Sequence, residues 1–591
     1  MTTRLAFATA VALAAIGSVH AQAPQTPAWV ARSNSDAKVL LDVTGRFQPE
    51  SATQIGLPGY DDKVIDLKPN SNARMSAAFA QAKSQLQNML ATEKDANVRQ
   101  DLQIMIKAAD LNIGAIAIND KYLLPYQDVG QLIFNGEFYL LQDDADAKRR
   151  SMALKRLQCY VGQTPGCTPI TKLAEAQTAD RLSDKHLLGP YKGNVDQQLA
   201  NTQRYAQGIR QLFAKYKLDD AAGKAALDAM DAQLKDYDTW VHSTIVPRQR
   251  DDFRLPEPLY AYNLKQVGID IPPEELIKQA ELEFVEVRSA MQMMAPVVAK
   301  AEGFQATDYR DVIKALKQQQ LGKDDVVPWY HEVIGKIQDI VRREHLITLP
   351  QRDMQMRVAS DAETANQPAP HMDPPPLIDN HGERGTFVLT MGNPSTHGSA
   401  SDTYDDFTFK AAAWTLTAHE GRPGHELQFA AMVERGVSLA RSVFAFNSVN
   451  VEGWALYSES EMLPYEPPAG QFTTLQFRLI RAARAFLDPM LNLGMITKER
   501  AHDVLRYDVG LSEAMTREEL DRYTFNSPGQ ATAYFYGYMR LQQLRLQTEL
   551  ALGKQFNQQA FNDFIIGQGL LPPDQLAEAV RTQFVPSQQK K

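Results

Sequence analysis

The 591-residue sequence has little of several features that would mark a particular class of protein. It contains two cysteines, and its formal net charge of −9 is too small to favour one kind of charged partner. No cluster of Lys and Arg interleaved with aromatic residues stands out, so a nucleic-acid-binding role is disfavoured. With 44% hydrophobic and 23% charged residues, the composition is that of a globular protein with a sizeable core and excludes a disordered chain.

Long apolar segments are also missing, apart from the first residues. The start, MTTRLAFATAVALAAIGSVHAQAP, has one Arg, an apolar run that is short for a bilayer, and small residues before Ala21. It predicts a signal peptide over 1–21, a periplasmic or secreted protein and no membrane span; a membrane anchor is the alternative. In an oxidising compartment, Cys159 and Cys167 are expected to form a local disulfide rather than a metal or redox site.

Strand candidates are few, and amphipathic helical patterns dominate the sequence. Apolar residues recur at three- and four-residue spacing over 71–110, 196–246, 274–302, 307–317, 327–343, 473–494, 498–508, 516–523 and 529–552. Short strands are predicted at 354–360 and 385–392, and the Pro-rich stretch 361–384 is predicted to be a loop that holds no helix. A break there separates a helical N-terminal part, 22–350, from a C-terminal part, 351–591, which together form one continuous unit.

The most informative segment is HEGRPGH, residues 419–425. On an unbroken helix, residues six positions apart point about 240° away from each other, so His419 and His425 could not bind one metal ion. Pro423 and Gly424 predict a bend between them. Proline removes a backbone N–H and crowds the carbonyl four residues earlier, and glycine accepts backbone angles that other residues resist. The helix should therefore stop around 421–424 and let both histidines return to one side.

A catalytic zinc site needs three protein ligands and one open position. Glu452, in the helical segment NVEGWALYSESE, is the third ligand candidate, with Glu459 or Glu461 as a replacement. Glu459 falls on the same helix face as Glu452, where its carboxylate is expected to orient a ligand histidine from outside. The simpler alternative is that His419 and His425 are ordinary polar residues near a kinked helix.

Three segments in this order, HEGRPGHELQ, VEGWALYSE and SPGQATAYFYG, resemble the signatures of the bacterial family called domain of unknown function 885. That family is similar to glutamate-zincin peptidases of the thimet-oligopeptidase type. The resemblance implies a mainly α fold, with two helical lobes around a deep cleft and a small β-sheet beside one Zn²⁺. It implies His419, His425 and Glu452 as ligands and Glu420 as general base. The sequence departs from these patterns at two places. The spacer between Glu420 and the second histidine has four residues where the oligopeptidases have two, and Glu426 stands where the family often has histidine.

Other residues are candidates for substrate contacts around this centre. Tyr534 in SPGQATAYFYG fits the position of a donor to the oxyanion, although three tyrosines within five residues are also typical of core packing. Tyr538 and Arg540 are candidates for substrate binding, and solvated helix faces explain such arginines equally well. His381 and His397 flank the strand GTFVLTMG and are further candidates to face the cleft. That strand is expected to pair with an extended substrate.

The sequence thus predicts a secreted zinc metallopeptidase that acts on short peptides. Zinc makes hydroxide available near pH 7, and Glu420 passes the water's proton to the leaving amine. One alternative is a non-catalytic, zinc-stabilised peptide-binding protein, which would have no need of a carboxylate at Glu420. Another is a metal hydrolase of a different amide or ester. The pattern favours neither a carboxypeptidase nor an oligopeptidase, and it does not predict the oligomeric state.

Overall fold

The computed structural model describes residues 27–391 and 404–590, which form a mainly helical protein with one small β-sheet. The helices before the sheet are α1 (Ala28–Phe47), α2 (Pro49–Gln54), α3 (Ser71–Thr92), α4 (Ala96–Tyr122), α5 (Val129–Phe138), α6 (Ala147–Arg150), α7 (Met152–Tyr160), α8 (Ile170–Ala179), α9 (Lys192–Lys215), α10 (Ala221–Trp240), α11 (Glu257–Val267), α12 (Pro273–Glu302), α13 (Tyr309–Lys317) and α14 (Lys323–Arg343). Within and after the sheet region follow α15 (Asp361–Asn366), α16 (Ala412–Glu420), α17 (His425–Arg435), α18 (Ser448–Met462), α19 (Pro468–Asn492), α20 (Lys498–Asp503), α21 (Glu513–Asp521), α22 (Ala533–Leu552), α23 (Gln558–Gly567), α24 (Pro573–Ala579) and α25 (Val585–Gln589). The predicted signal peptide lies outside the described residues. Among the helices that the structure describes, none has the length and apolar character needed to span a bilayer.

Two of the long predicted helices are each divided by a capped break. The segment 71–110 forms α3 and the start of α4, where the Asp95 carboxylate accepts a hydrogen bond from the N–H of Asn97 at 2.9 Å. The segment 196–246 covers most of α9 and all of α10, whose first turn is capped by Asp220 in the same way. An aspartate at this position satisfies N–H groups that have no partner within the helix, so it starts a new helix where apolar spacing alone predicts continuation.

The sheet has the strand order β1 (Gln355–Val358), β3 (Thr386–Leu389), β2 (His371–Asp373). The strands β1 and β3 lie within the two segments that the sequence predicts, and they pair in parallel, while β2 is antiparallel to β3. Because β3 is central, its backbone groups are already paired on both sides. The prediction that this strand receives an extended substrate is therefore wrong.

The Pro-rich stretch 361–384 is not the helix-free loop that its composition predicts, because it contains both α15 and β2. The helix begins with a capping box. The Ser360 hydroxyl accepts from the N–H of Glu363 at 3.3 Å, and the Glu363 carboxylate accepts from the N–H of Ser360 at 2.8 Å. The first proline, Pro368, comes after the helix has ended, so the prolines do not interrupt it.

The described residues bury three apolar cores. The largest draws on α4, α11–α14 and α16–α24, and so on helices from both sides of residue 350. The second lies mainly among α5, α7, α9 and α10, and the third among α1, α3 and α4. Cys159, in α7, and Cys167, just before α8, are joined by a disulfide with their Cα atoms 5.2 Å apart. This bridge closes a short loop at the edge of the second core.

The helices α18 and α22 cross at close range, and the crossing brings two of the sequence motifs together. A Cβ added to Gly537 would lie 1.9 Å from the backbone oxygen of Val449, and one added to Gly453 would lie 2.5 Å from the backbone carbon of Gly537. Only glycine fits at both positions, since any side chain would push the helices apart. The crossing brings Glu452 of α18 close enough to Tyr534, in the first turn of α22, to influence its pKa.

Candidate metal centre

HEGRPGH bends at the place that its sequence predicts. The helix α16 ends at Glu420 and α17 begins at His425, so residues 421–424 separate them. The Arg422–Pro423 peptide bond is cis. A Cβ added to Gly424 would lie 1.9 Å from the backbone oxygen of His419, so the turn folds back onto the end of α16 at a distance that only glycine allows.

The bend is also held from α18. The carbonyl of Pro423 accepts hydrogen bonds from Trp454 Nε1 at 3.0 Å and from Ser458 Oγ at 3.2 Å, and all three residues are buried. On the other side of the turn, Arg422 Nη2 donates to Glu426 Oε1 at 3.0 Å within the protein interior. Helix α18 therefore fixes the direction that the chain takes after α16 has ended.

One atom from each of His419, His425 and Glu452 faces the same small space. Glu452 Oε2 lies 3.6 Å from His419 Nε2 and 3.3 Å from His425 Nε2, and the two rings stand at 85° to each other. This buried oxygen has no hydrogen-bond partner among the described residues. Two ligand atoms that lie about 2.1 Å from one tetrahedral ion are about 3.4 Å apart. Both separations from Glu452 therefore fit ligands of a single metal ion, and a ring nitrogen of His419 lies within 4.8 Å of one of His425.

The outer nitrogen of His419 is held by a buried carboxylate. Glu459 Oε1 accepts from His419 Nδ1 at 2.6 Å and from Arg481 Nη2 at 3.2 Å, and Oε2 accepts from Thr415 Oγ1 at 2.9 Å. Burial alone would raise the pKa of Glu459, but Arg481 and His419 hold it below its ordinary value. An ionised carboxylate only accepts hydrogen bonds, so Nδ1 carries the proton and Nε2 keeps its lone pair for the metal side. Glu459 thus has the position that the sequence predicts for it.

Negative charge exceeds positive charge around His419. Glu420, Glu452 and Glu459 all have a carboxylate oxygen within 3.8 Å of its ring nitrogens. Burial would lower the pKa of His419, but these three carboxylates raise it to about 9. Such a site attracts a proton when it holds no other cation, and a divalent ion would take the proton's place. The ligand atoms of His419, Glu420 and His425 all lie within 4.8 Å of one another, which is close enough for one ion.

The centre lies in the wall of a cavity of about 1280 Å³. The near wall carries His419, Glu420, His425, Glu452, Gln530 and Tyr534. The cavity is also lined by Asp128 and Tyr205, from the region of the second core, and by His371 of the edge strand β2. The strand that borders the cavity is thus β2, which the sequence does not predict, instead of β3.

Tyr534 lines this cavity beside the metal ligands. Its ring is stacked at 6.1 Å from that of His419, and its hydroxyl accepts from Arg522 Nη2 at 2.7 Å. Burial raises the pKa of Tyr534, so the phenol stays protonated at neutral pH. Because the oxygen accepts from Arg522, the phenol's own proton is available to donate to a group in the cavity.

The other predicted substrate contacts on α22 lie elsewhere. Neither Tyr538 nor Arg540 is among the described residues that line the cavity. Tyr538 is buried against the guanidinium of Arg478, 4.9 Å from the ring centroid, and Arg540 pairs with Asp270 at 3.4 Å and with Asp574. The cavity reaches only the first turn of α22, so a substrate-binding role for these two residues does not fit the structure.

The predicted contacts near the sheet also lie elsewhere. His381 has an exposed side chain that lies 3.2 Å from Asp379, and it does not face the cavity. His397 lies outside the described residues. Glu461, the replacement ligand, pairs with Arg545 on the far side of α18 from the centre. Glu452 is therefore the glutamate of this helix whose carboxylate meets both histidines.

Two cavity residues, Gln530 and Arg522, were not predicted from the sequence. Gln530 Oε1 accepts from Arg522 Nε at 3.1 Å, and its Nε2 donates to Glu452 Oε1 at 3.5 Å. With the bond from Arg522 to Tyr534, these contacts link the carboxylate of Glu452 to the phenol. The available signal was the single polar side chain between Gly529 and Ala531 in SPGQATAYFYG, a motif whose tyrosines are more conspicuous.

Comparison with known proteins agrees with the motifs. The family model described as "Bacterial protein of unknown function (DUF885)" matches residues 49–580. A "putative lipoprotein" from Colwellia psychrerythraea is similar in structure, with 18% identity, a TM-score of 0.76, and coverage of 94% of this chain and 99% of that chain. A "putative lipoprotein of unknown function" from Shewanella oneidensis has 18% identity, a TM-score of 0.70, and coverage of 94% and 100%. At this identity the likeness shows a shared fold alone, and no curated protein matches the sequence. By the family match, which spans most of its length, the chain belongs to the bacterial family DUF885.

Proposed function

We propose that the protein is a zinc-dependent peptidase that hydrolyses short peptides outside the cytoplasm. The observation that carries this proposal is the meeting of His419 Nε2, His425 Nε2 and Glu452 Oε2 in a cavity wall, with Glu420 beside them. Two imidazoles and one carboxylate are a ligand set of catalytic zinc sites, which leave a fourth position open. A closed structural site would use a fourth protein ligand instead.

The ligand residues are prepared for a cation by their surroundings. Glu459 fixes the orientation and the tautomer of His419. Gln530 donates to the outer oxygen of Glu452, which leaves Oε2 for the ion. When bound, zinc lowers the pKa of a water ligand toward neutrality and polarises the scissile carbonyl.

Two further side chains supply the proton transfers and the charge stabilisation. Glu420 follows His419 directly and lies in the cavity wall, where its carboxylate takes a proton from the attacking water and delivers it to the leaving amine. Tyr534 donates its hydroxyl hydrogen bond to the carbonyl oxygen as negative charge develops there. The guanidinium of Arg522 holds that hydroxyl in place.

The shape of the cavity supports a small or extended substrate. It is lined by residues from elements of the largest core, from the region of the second core and from β2. We take these two sides to be the helical lobes of a glutamate-zincin, between which a short peptide fits and a folded protein does not. The signal-peptide pattern, the disulfide and the lipoprotein names of the similar structures support a location outside the cytoplasm. The two cysteines are bonded to each other, so neither carries a lipid.

Paired substitutions of the two glutamates test this function. Glu420→Gln should keep about one zinc per chain but lose about 10²- to 10⁴-fold in turnover, because the amide cannot accept the proton. Glu452→Gln should lose zinc itself. Glu461→Gln is the matched control, since this glutamate lies on the same helix and faces away. Metal analysis and a peptide-library digest read by mass spectrometry measure both properties.

The outcomes separate the alternatives. Wild-type turnover in Glu420→Gln would refute the general-base role. Stoichiometric zinc together with peptide binding, but without cleavage of any peptide or ester, would favour a non-catalytic binding protein. Cleavage of esters or other amides in the absence of peptide cleavage would favour a different metal hydrolase.

A further inference from the structure

Nearly all of the positive charge in the cavity wall is already paired with carboxylates. The pairs are Arg481 with Glu459, Arg484 with Glu519, Lys317 with Asp405 and Asp406, Lys498 with Asp521, and Arg517 with Glu513. Arg484 binds Glu519 through both Nε and Nη2, at 2.8 and 2.5 Å. These cations have little charge left with which to bind an anionic group of a substrate.

Arg522 is different, because within the described part of the chain it forms no ion pair with a carboxylate. Its Nε donates to Gln530 Oε1 at 3.1 Å and its Nη2 donates to Tyr534 Oη at 2.7 Å, and both of these partners are neutral. Its Nη1 has no hydrogen-bond partner among the described residues. The side chain lines the cavity next to Tyr534. A guanidinium whose hydrogen-bond partners are neutral and whose Nη1 is unused therefore lines the space that a substrate would occupy.

We propose that Arg522 binds the C-terminal carboxylate of the substrate, so that the protein removes residues from the carboxyl ends of peptides. Guanidinium groups are favoured partners of carboxylates, because their planar donors match the two oxygens. A charge that is partly removed from water is costly until it is paired, and a free α-carboxylate supplies the direct ion-pair partner that Arg522 lacks among the described residues. The inference rests on the proposed peptidase function and specifies its substrate class.

The position of Arg522 also limits how far from the chain end the cleaved bond lies. Arg522 Nη2 and Tyr534 Oη are 2.7 Å apart. The unused donor is Nη1, which lies about 2.3 Å from Nη2 in the planar guanidinium. Adding one hydrogen bond of about 2.9 Å at each end places the carboxylate within about 11 Å of the carbonyl oxygen that Tyr534 contacts. An extended chain advances about 3.4 Å per residue. The carboxylate therefore belongs to one of the first three residues after the cleaved bond, and the products released are single amino acids, dipeptides or tripeptides.

A binding experiment tests the assignment without relying on turnover. Zinc-loaded Glu420→Gln protein is titrated calorimetrically with two pentapeptides that differ only in a free C-terminal carboxylate or a C-terminal amide. We expect the carboxylate form to bind about 10- to 100-fold more tightly, as for a charge-assisted hydrogen bond. Adding Arg522→Gln should remove this preference, and Arg522→Lys should restore part of it. Equal binding of the two peptides by the Glu420→Gln protein overturns the proposal, whether or not the Arg522 variants fold.

Cleavage by the wild-type protein gives a second test. A ten-residue peptide with a free carboxylate should lose one to three residues at a time from its carboxyl end, and its C-terminal amide should be cut at least about 10-fold more slowly. Arg540→Gln is the matched control, because Arg540 is paired with Asp574 outside the cavity and should leave the preference intact. Internal cleavage of both peptides at equal rates refutes the role of Arg522 and leaves the peptidase function standing. If zinc-loaded wild type cleaves no peptide, the proposed function fails, and the calorimetric comparison still decides whether Arg522 recognises a carboxylate.

Discussion

Glu459→Gln tests how a residue that does not face the metal position controls metal binding. Glu459 is 1% exposed, and its Oε1 accepts hydrogen bonds from both His419 and Arg481. The glutamine amide fills nearly the same space but carries no charge, and only one of its two terminal atoms accepts hydrogen bonds. His419 then loses the partner that fixes its ring and increases its basicity toward a cation.

The expected size of the effect follows from the contacts. Losing the carboxylate behind a metal-bound histidine typically weakens metal affinity by about 10- to 100-fold, or about 1.4 to 2.7 kcal/mol. The same substitution leaves Arg481, which is 5% exposed, without its carboxylate partner. An unpaired buried charge costs about 3 to 5 kcal/mol of unfolding free energy. The single variant should therefore lose both zinc affinity and stability.

A double variant separates these two losses. In Glu459→Gln with Arg481→Met both charges are gone, so most of the lost unfolding free energy should return. Zinc affinity should stay low, because His419 still has no carboxylate behind it. Glu461→Gln again serves as the control on the same helix, since it changes a pair with Arg545 that lies away from the centre.

Zinc affinity is measured by competition with a chromophoric chelator, and stability by urea unfolding of the metal-free proteins. Zinc binding by Glu459→Gln within twofold of wild type would refute the role assigned to this carboxylate. Recovery of zinc affinity in the double variant would show that the stranded charge of Arg481, and not the lost partner of His419, had weakened the site.

Three further predictions concern the bend, pH and the disulfide. Gly424→Ala should lower zinc affinity, because its Cβ would lie 1.9 Å from the backbone oxygen of His419. Gly335→Ala is the control, because a Cβ there has no atom within 4 Å, and it should leave zinc affinity unchanged. Equal zinc affinities of the two variants would contradict this account of the bend. Burial raises the pKa of Glu466 from 4.5 to about 8, so the folded state retains a proton that the unfolded state releases. The unfolding free energy of the metal-free protein should therefore fall as the pH rises from 4.5 to 8, by at most about 5 kcal/mol, and urea titrations should show a flatter profile for Glu466→Gln. Reduction of the disulfide between Cys159 and Cys167, which are 8 residues apart, should lower the free energy of unfolding in urea by about 2.5 kcal/mol. Reduction should also make two thiols available for alkylation. Thiols that are already free in unreduced exported protein would contradict the disulfide.

The metal ligands could be predicted because their motifs are local: HEGRPGH places two histidines on either side of a Pro-Gly bend, and VEGWALYSE offers a glutamate as the third ligand. The helix that holds His419 is entirely buried, and Glu452 lies between the buried residues Val451 and Gly453, so both side chains need a partner, which a shared metal ion provides. The same reasoning found Glu459. It required only local sequence, since the position of each side chain on its helix follows from helical geometry.

Positions that depend on how the cavity is closed could not be predicted in this way. In α22 the first six residues are all buried, so apolar periodicity cannot show that Tyr534 faces the cavity while Tyr538 faces Arg478. The position of Arg522 in the cavity could not be predicted, because its hydrogen bonds are made with Gln530 and Tyr534 of the next segment. The edge strand β2 lies among prolines, and pairing with β3 holds it in place where local propensity does not favour a strand.

The six-residue histidine spacing and the Glu-Gly-Trp motif are two parts of one structure. A proline ends a helix, but it does not determine where the chain goes next, because that depends on the partners that the freed carbonyls find. The carbonyl of Pro423 finds Trp454 Nε1, two residues after Glu452 on the same helix. The contact that directs His425 back toward His419 therefore also sets the distance between the histidines and the third ligand. A two-residue spacer needs no such contact, because an unbroken helix already aligns its histidines. The longer spacer needs donors on α18 to hold the turn, and Trp454 and Ser458 are those donors.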